Sequence, residues 1–182
     1  MKSVSAFRQM KAEGRKISMV TCYDHWSARI IAASRVDCVL VGDSAAMVMH
    51  GFRDTLPADV AMMRAHVAAV CKGAPDKFVI GDMPFLSYQV SVPDAVLNAG
   101  RFHKEAGVDA IKLEGGRRVC PQIQAIADGG MLVMGHIGLT PQSTGQLGGF
   151  KAQGRTADAA QVLIEDALAI EAAGAFALLV ER

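Results

Sequence analysis

The sequence lacks any long block of charge of one sign. Its 182 residues carry 19 Lys and Arg against 18 Asp and Glu, for a formal net charge of +1. Proteins that bind polyanions usually present a concentrated basic surface, so nucleic acid is not an expected partner. A run of about 20 apolar residues, which a membrane-spanning helix needs, is also missing. The N-terminus has no hydrophobic segment followed by a small-residue cleavage site. We therefore expect a cytoplasmic protein that does not enter a membrane.

Two common ligand-binding motifs are missing as well. No Gly-x-Gly-x-x-Gly sequence opens the first predicted helix, which argues against a dinucleotide-binding fold. The cysteines show neither the Cys-x-x-Cys nor the Cys/His spacings of a zinc site. Free cysteine usually behaves as a small buried apolar residue. We therefore expect reduced thiols in the core at Cys22, Cys38, Cys71 and Cys120.

The sequence does contain a repeated alternation of strand-like and helix-like segments. With 51% hydrophobic residues, the chain is long enough to form one packed domain over residues 1–182. Runs rich in Val, Ile, Leu and Met predict strands near 17–22, 38–42, 78–82, 110–114, 131–136 and 176–181. Apolar periodicity predicts helices over 3–13, 24–34, 58–72, 93–105, 120–127 and 156–173. Asp24 is a plausible cap for the second of these helices, and Pro57 and Gly73 bracket the third.

This alternation predicts a parallel sheet with helices packed outside it. The two candidate architectures are an open doubly wound sheet and a (β/α)₈ TIM barrel. We favour the barrel, because a charged residue closes nearly every strand, whereas an open sheet concentrates its site at one switch point. A barrel typically needs about 250 residues. Since only about six βα units are visible, we expect the barrel to be incomplete.

Five of the apolar runs end on a charged or ionisable side chain. Such groups are rarely buried unless they are paired or coordinated. The carboxyl ends of parallel strands lie at one edge of a sheet, so these side chains are expected to share a polar cavity. The pattern predicts an enzyme whose active site contains Asp43, Asp82, Glu114, His136 and Glu181.

Three of these residues favour a magnesium site. Asp43, Asp82 and Glu114 supply hard oxygen ligands from three strand ends, and Ser44 adds a hydroxyl beside the first. Mg²⁺ prefers a small number of carboxylates together with water and substrate oxygens. The alternative is structural: each acid caps the following helix or pairs with a Lys or Arg.

Lys112 and Glu181 are the candidate basic groups. Lys112 lies two residues before Glu114, so both side chains should project from the same side of one strand. There Lys112 could neutralise a substrate carboxylate or a developing enolate, form a structural ion pair, or act as a Schiff-base nucleophile. Glu181 closes the last apolar strand, where desolvation would raise its proton affinity and make it a competent general base. The structural alternative for Glu181 is a frayed terminal residue.

A glycine-rich segment follows His136. Its length and position after a strand predict an active-site loop. The loop could close over a substrate, or it could hold an anionic tail through Lys151 and Arg155. It lacks the Gly-Lys-Ser/Thr ending of a phosphate-binding loop.

Taken together, seven spaced blocks resemble the ketopantoate (3-methyl-2-oxobutanoate) hydroxymethyltransferase family. They occur in the family's order over essentially the whole chain, at 21–24, 41–44, 54–57, 82–85, 112–116, 135–142 and 148–155. The resemblance implies a Mg²⁺-dependent TIM barrel of the phosphoenolpyruvate/pyruvate type. Its reaction would transfer a hydroxymethyl group from 5,10-methylenetetrahydrofolate to 3-methyl-2-oxobutanoate, giving 2-dehydropantoate in pantothenate and coenzyme A synthesis. It also implies a homo-oligomer.

Carried over residue by residue, the resemblance assigns roles to six positions. Asp43, Asp82 and Glu114 correspond to the metal site. Glu181 corresponds to the base that removes the C3 proton. The contacts to the keto acid correspond to Asp43, Ser44, Asp82 and Lys112.

Two features depart from the family pattern. Ala45 and Ala46 replace a usual Leu-Gly pair after Ser44. Family members also continue beyond the Glu181 position with two more βα units, so we expect this chain to be C-terminally truncated. Two alternatives to the active enzyme therefore stay open. One is an inactive remnant or a subunit that needs a partner, and the other is a different Mg²⁺-dependent barrel acting on a 2-oxo acid.

Overall fold

The structure is a computed structural model that describes residues 3–181. Its strands are β1 (Met19–Thr21), β2 (Cys38–Val41), β3 (Phe78–Asp82), β4 (Ala110–Glu114), β5 (Leu132–Gly138) and β6 (Ala177–Glu181). Its α-helices are α1 (Val4–Ala12), α2 (His25–Ala32), α3 (Ala45–Val48), α4 (Val60–Gly73), α5 (Val92–Arg101), α6 (Cys120–Asp128), α7 (Thr144–Leu147) and α8 (Ala157–Ala172). A π-helical turn covers Phe102–Ala106, and 3₁₀ turns cover Arg117–Val119 and Pro141–Ser143.

The strands form one parallel sheet in chain order, from β1 to β6. A doubly wound sheet reverses its strand order at a switch point, whereas a barrel adds each strand beside the previous one. The observed order therefore confirms the barrel prediction. Within residues 3–181, β1 and β6 form the two edges of the sheet, so the barrel is incomplete as expected.

The two faces of the sheet pack differently. Side chains on its outer face, such as Val39, Ile111 and Val133, form one core with the surrounding helices. Alternate residues on the inner face form a second core, which includes Phe78, Ile80 and Met134. Helix α1 packs against this inner core through Phe7 and Met10. The carboxyl end of the inner face is left open for a site.

The local signals placed most helices correctly. The carboxylate of Asp24 caps α2 as predicted, accepting a hydrogen bond of 2.8 Å from the backbone N–H of Ser27. The start of α4 was predicted two residues too early, because Asp59 rather than Pro57 provides its N-cap. The short helices α3 and α7 were not predicted, because each is a four-residue segment without a full apolar period. The helix predicted over 93–105 corresponds to α5 together with the π-helical turn that continues it.

The cysteine prediction holds for two of the four residues. Cys22 and Cys38 are buried, whereas Cys71 and Cys120 are only partly buried. Cys71 and Cys120 lie on helices α4 and α6, where they pack beside the outer core. Over the described residues, the structure contains no helix that is long and apolar enough to cross a membrane.

Candidate active site

A cavity of about 330 Å³ opens at the carboxyl end of the sheet. Its wall is formed by residues at or after the ends of all six strands, together with Phe150 from the glycine-rich loop. The six residues that the family resemblance assigned to the site all line this cavity: Asp43, Ser44, Asp82, Lys112, Glu114 and Glu181. His136, predicted from its position after an apolar run, lines it as well. The convergence expected from their positions in the sequence is therefore present in the structure.

Strand register brings these side chains together. In β3, Phe78, Ile80 and Asp82 alternate onto the inner face, so the last residue of the strand points into the cavity. Asp82 lies beside Lys112 in the β3–β4 register, and Glu114 lies beside His136 in the β4–β5 register. The inner ends of three strands thus form one continuous polar surface.

Three carboxylates form a cluster suited to a cation. One oxygen each from Asp43, Asp82 and Glu114 lies within 4.8 Å of the other two, and all three residues are buried. Glu114 Oε1 is buried, with Lys112 Nζ 3.6 Å and His136 Nδ1 3.3 Å away. Three buried carboxylates that converge in this way form the all-oxygen donor set that Mg²⁺ prefers. The residues present therefore fit the metal that the resemblance implies.

The ammonium group of Lys112 lies inside the same cluster. Its Nζ is 2.8 Å from Asp82 Oδ1 and 3.6 Å from Glu114 Oε1, and the side chain is buried. Burial alone would lower the pKa of Lys112, but the surrounding carboxylates outweigh that effect and raise it. Lys112 is therefore a charged lysine, which argues against the Schiff-base role.

The charge in the cluster is not balanced, because three carboxylates face one ammonium group. Burial raises the pKa of Asp43 to about 8, and the negative charge of Asp82 adds to the rise. Burial also raises the pKa of Asp82 to about 6, although Lys112 opposes the shift. For Glu114, burial acts in the same direction, but the adjacent His136 ring and Lys112 outweigh it and lower the pKa. A divalent cation would balance the excess negative charge.

His136 connects this cluster to Glu181. Its buried ring places Nδ1 3.3 Å from Glu114 Oε1 and Nε2 3.2 Å from Glu181 Oε2. Gly138 allows β5 to pass close to β6, because a Cβ there would lie 2.0 Å from the carbonyl oxygen of Glu181. The sequence analysis missed the contact between His136 and Glu181, since it depends on the pairing of β5 with β6.

The environment of Glu181 differs from the one predicted. An apolar wall was expected to desolvate its carboxylate, but the side chain is 45% exposed, and its partner is a buried imidazole. The carboxylate nevertheless lines the cavity, so it can reach a molecule bound there. Its exposure arises because β6 is an edge strand of the sheet within the described residues.

Other polar contacts fix the rim and floor of the cavity. Ser44 Oγ lies 2.8 Å from the hydroxyl of Tyr23, which belongs to the turn after β1. Behind the carboxylates, Gln142 and Tyr88 are buried and hydrogen-bonded to the cluster. Lys151 and Arg155 are exposed and do not line the cavity in the described part of the chain. The predicted anion-holding role of these two residues therefore lacks geometric support.

Comparison with known proteins places this geometry in a family. The family model for ketopantoate hydroxymethyltransferase matches residues 1–182. The chain belongs to this family. It is 56% identical over 180 residues to 3-methyl-2-oxobutanoate hydroxymethyltransferase of Alkaliphilus metalliredigens, covering 99% of this chain and 64% of that protein. Identity to the enzyme of the same name from Heliobacterium modesticaldum is 51% over 174 residues, covering 96% and 63%. The chain thus spans slightly less than two thirds of these family members.

Solved structures confirm the fold. Phosphonopyruvate hydrolase in complex with oxalate and Mg²⁺ superimposes with a TM-score of 0.75 at 14% identity, covering 100% of this chain and 63% of that one. A 2,3-dimethylmalate lyase of the phosphoenolpyruvate mutase/isocitrate lyase superfamily gives a TM-score of 0.69 at 17% identity, covering 100% and 64%. At such identities the likeness concerns the fold alone. The predicted incomplete barrel is thereby confirmed.

Proposed function

We propose that the cavity catalyses hydroxymethyl transfer from 5,10-methylenetetrahydrofolate to 3-methyl-2-oxobutanoate, giving 2-dehydropantoate. One observation carries the proposal: a buried carboxylate cluster with an embedded ammonium group lies at the strand ends of a member of this family. The reaction requires removal of a proton from C3 of a 2-oxo acid and stabilisation of the resulting negative charge. Both tasks suit a site with a cation, a lysine and a carboxylate base.

The carboxylates of Asp43, Asp82 and Glu114 are the candidate cation ligands. Bound Mg²⁺ would polarise the 2-oxo group and stabilise an enolate oxygen. Support comes from the spacing of the three side chains and from their burial. Phosphonopyruvate hydrolase, which shares the fold, has been crystallised with Mg²⁺ and oxalate, a small dicarboxylate.

Lys112 and Ser44 are the candidate contacts to the keto acid. The ammonium group of Lys112 lies beside the carboxylates, where it would neutralise part of the charge of a bound enolate. The hydroxyl of Ser44 is held by Tyr23 at the wall of the same cavity and can donate or accept a hydrogen bond. Together with Asp43 and Asp82, these groups would fix the orientation of the substrate.

Glu181 is the candidate general base. In the proposed step, its carboxylate takes the C3 proton, and the electrons of the C–H bond move into the enolate. The enolate carbon then bonds to the methylene carbon of the folate as one of that carbon's two C–N bonds breaks. Water replaces the second nitrogen and supplies the hydroxyl oxygen, and tetrahydrofolate leaves with one proton from C3 and one from water. His136 Nε2 lies 3.2 Å from the Glu181 carboxylate at the edge of the cavity. Partial exposure of Glu181 leaves this carboxylate accessible to a substrate entering from solvent.

Two alternatives remain as outcomes of a test. The chain spans 63–65% of several family members, so the activity of the whole enzyme is a proposal for it. An inactive protein, or a subunit that needs a partner, would keep the cluster without turnover. A different 2-oxo acid reaction would keep cation binding but not act on 3-methyl-2-oxobutanoate. Homo-oligomerisation and a cytoplasmic location are further proposals from family membership.

Deuterium exchange at C3 of 3-methyl-2-oxobutanoate tests the enolising step without folate. We expect exchange in D₂O, followed by proton NMR, that requires Mg²⁺ and stops with EDTA. Glu181→Gln should reduce the rate at least about 100-fold, the usual contribution of a general base. Glu171→Gln, an exposed substitution on α8, is the matched control and should leave the rate unchanged.

The outcomes separate the alternatives. Exchange that survives Glu181→Gln would remove Glu181 as the base while keeping the enolising site. Folded protein that binds Mn²⁺ but shows no exchange would support the inactive or partner-dependent alternative. Exchange followed by product formation with added 5,10-methylenetetrahydrofolate would support the full reaction.

A further inference from the structure

Gln142 occupies the space directly behind the carboxylate cluster. It lies in the 3₁₀ turn Pro141–Ser143 after β5, and it is only 6% exposed. Its backbone and side chain contact groups that follow or end three other strands: Asp43 after β2, Met83 after β3 and Glu114 at the end of β4. One buried amide therefore touches the ends of three neighbouring strands.

The hydrogen bonds of this amide fix its orientation. Nε2 donates to the carbonyl oxygen of Met83 and to Asp43 Oδ2, both at 2.9 Å. Oε1 accepts from the hydroxyl of Tyr88 at 2.7 Å and from Gln89 Nε2 at 3.2 Å. An amide has two N–H donors and an oxygen that accepts twice, so every position is used. A flipped amide would lose these bonds, and Nε2 must therefore face Asp43.

Gln142 also holds Glu114 through its own backbone. The backbone N–H of Gln142 donates to Glu114 Oε2 at 3.0 Å, while Glu114 Oε1 faces Lys112 and His136 in the cavity. The third carboxylate follows the same pattern, because Asp82 Oδ2 accepts from the backbone N–H of Asp43 at 3.1 Å. In each carboxylate, one oxygen is held by an N–H group. Gln142 supplies that group for two of the three.

We propose that Gln142 is a positioning residue that orients Asp43 and Glu114 for cation binding. The inference rests on the cation site of the proposed function, although not on the reaction. A carboxylate on a free side chain can rotate and form other ion pairs, such as one with Lys112. Holding one oxygen by hydrogen bonding directs the other toward the shared centre. Groups that orient metal ligands in this way typically contribute about 10- to 100-fold to metal affinity.

Tyr88 supports the amide from behind. It is fully buried, and its hydroxyl bonds to Gln142 Oε1 and to the backbone of Glu114, but not to any cluster carboxylate. Burial raises the pKa of Tyr88 well above its usual value, so its hydroxyl remains a donor. Loss of this hydroxyl would leave the amide in place but less constrained. Tyr88 therefore acts one step further from the cation than Gln142.

Mn²⁺ affinity measured by electron paramagnetic resonance, without substrate, tests the inference. Gln142→Met keeps the length of the side chain and the backbone N–H but removes the amide. We expect it to weaken Mn²⁺ binding about 10- to 100-fold. Tyr88→Phe should weaken binding by a smaller factor. Gln146→Met makes the same change four residues later, where the exposed amide accepts a hydrogen bond from Arg118, and should bind as the unsubstituted protein does.

A purely structural role for Gln142 gives a different result. The melting temperature in EDTA would then fall, while the folded protein would bind Mn²⁺ with unchanged affinity, and that outcome would overturn the inference. If Gln142→Met does not fold, Tyr88→Phe decides the question, and unchanged Mn²⁺ affinity in folded Tyr88→Phe would equally overturn it. Failure of the unsubstituted protein to bind Mn²⁺ would remove the cation site itself. If Gln142→Met weakens Mn²⁺ binding but the unsubstituted protein shows no C3 exchange, the result would support this inference and contradict the proposed reaction.

Discussion

The inner face of the sheet has an apolar amino end and a charged carboxyl end, although the same strands supply both. At the amino end, Phe78 packs edge-to-face against Phe7 of α1 and against Phe176, with ring centroids 5.1 and 5.7 Å apart. At the carboxyl end of the same strand, Asp82 lies against Lys112. The two ends are about four residues apart along β3, yet burial at one end favours folding and burial at the other opposes it.

The apolar end stabilises the fold, whereas the charged end forms the candidate active site and reduces stability. Burial of the phenylalanine rings removes apolar surface from water and favours folding. Burial of the carboxylates removes charge from water and opposes folding, as the raised pKa values of Asp43 and Asp82 indicate. The charged end is therefore held in place by the apolar core around it. Substitutions at the two ends should change stability in opposite directions.

The largest effect on stability is expected at the apolar end. Phe78 is 3% exposed and contacts aromatic rings on both sides, so Phe78→Ala leaves a cavity beneath α1. Replacing a buried phenylalanine by alanine typically lowers the free energy of unfolding by about 3–5 kcal/mol. Urea denaturation followed by circular dichroism would measure the loss. Phe150→Ala is the control, because Phe150 is 61% exposed, and its loss should stay within about 0.5 kcal/mol. Equal losses for the two variants would contradict the assignment of the inner core.

The opposite effect is expected at the charged end, and it should depend on pH. The pKa of Asp43 is about 8 in the folded protein, whereas an unfolded aspartate has a pKa of about 3.9. Between these values, the folded state holds a proton that the unfolded state releases, so stability falls as pH rises through this range. Asp43→Asn removes the effect and keeps an acceptor for Gln142. In EDTA, Asp43→Asn should therefore gain stability relative to the unsubstituted protein, by up to about 1 kcal/mol per pH unit below pH 8.

Thermal melts between pH 6 and pH 9 in EDTA would measure this difference. Added Mg²⁺ should stabilise the unsubstituted protein and have little effect on Asp43→Asn, because a ligand that binds the folded state stabilises it. A stability difference that stays constant across this pH range would mean that Asp43 does not titrate there. A difference of the opposite sign would mean that its carboxylate is already balanced by another charge.

The sequence predicted the charged end better than its supporting contacts. Asp43, Asp82, Lys112 and Glu114 were identified because a charge after a run of buried apolar residues is unusual, and strand period alone places such residues at one edge. No charge pattern marks Gln142, an uncharged residue in the 3₁₀ turn after β5, although it ends the family block at 135–142. Its bond to Asp43 joins residues 99 positions apart, so it becomes visible only when β2 and β5 are assembled in the sheet.

Two details of local structure could not be predicted from the sequence, because they depend on contacts that the local sequence does not specify. Pro57 looked like the start of α4, but Asp59 two residues later forms the cap, and a proline near a helix start does not reveal which acceptor is used. The exposure of Glu181 depends on which elements cover β6, and residue type carries no information about that. Helix and strand positions were predictable because they follow from local periodicity. Side-chain environments were less so, because they follow from tertiary packing.

The smallest effect on stability is expected at Asp59, which caps a helix, in contrast to the candidate cation ligand Asp43. Asp59 precedes α4, and its Oδ1 accepts a 2.7 Å hydrogen bond from the backbone N–H of Met62, which is the capping role that was the alternative for the cluster acids. Asp59→Ala should lower the free energy of unfolding by about 1 kcal/mol, and Asp59→Asn should be nearly neutral, because asparagine caps a helix equally well. Neither variant should change Mn²⁺ affinity, whereas Asp43→Asn should weaken it strongly. The contrary result is that Asp43→Asn behaves as Asp59→Asn does and leaves Mn²⁺ affinity intact. That result would mean that the cluster carboxylates are structural. The two ends would then differ only in how their side chains pack, and not in cation binding.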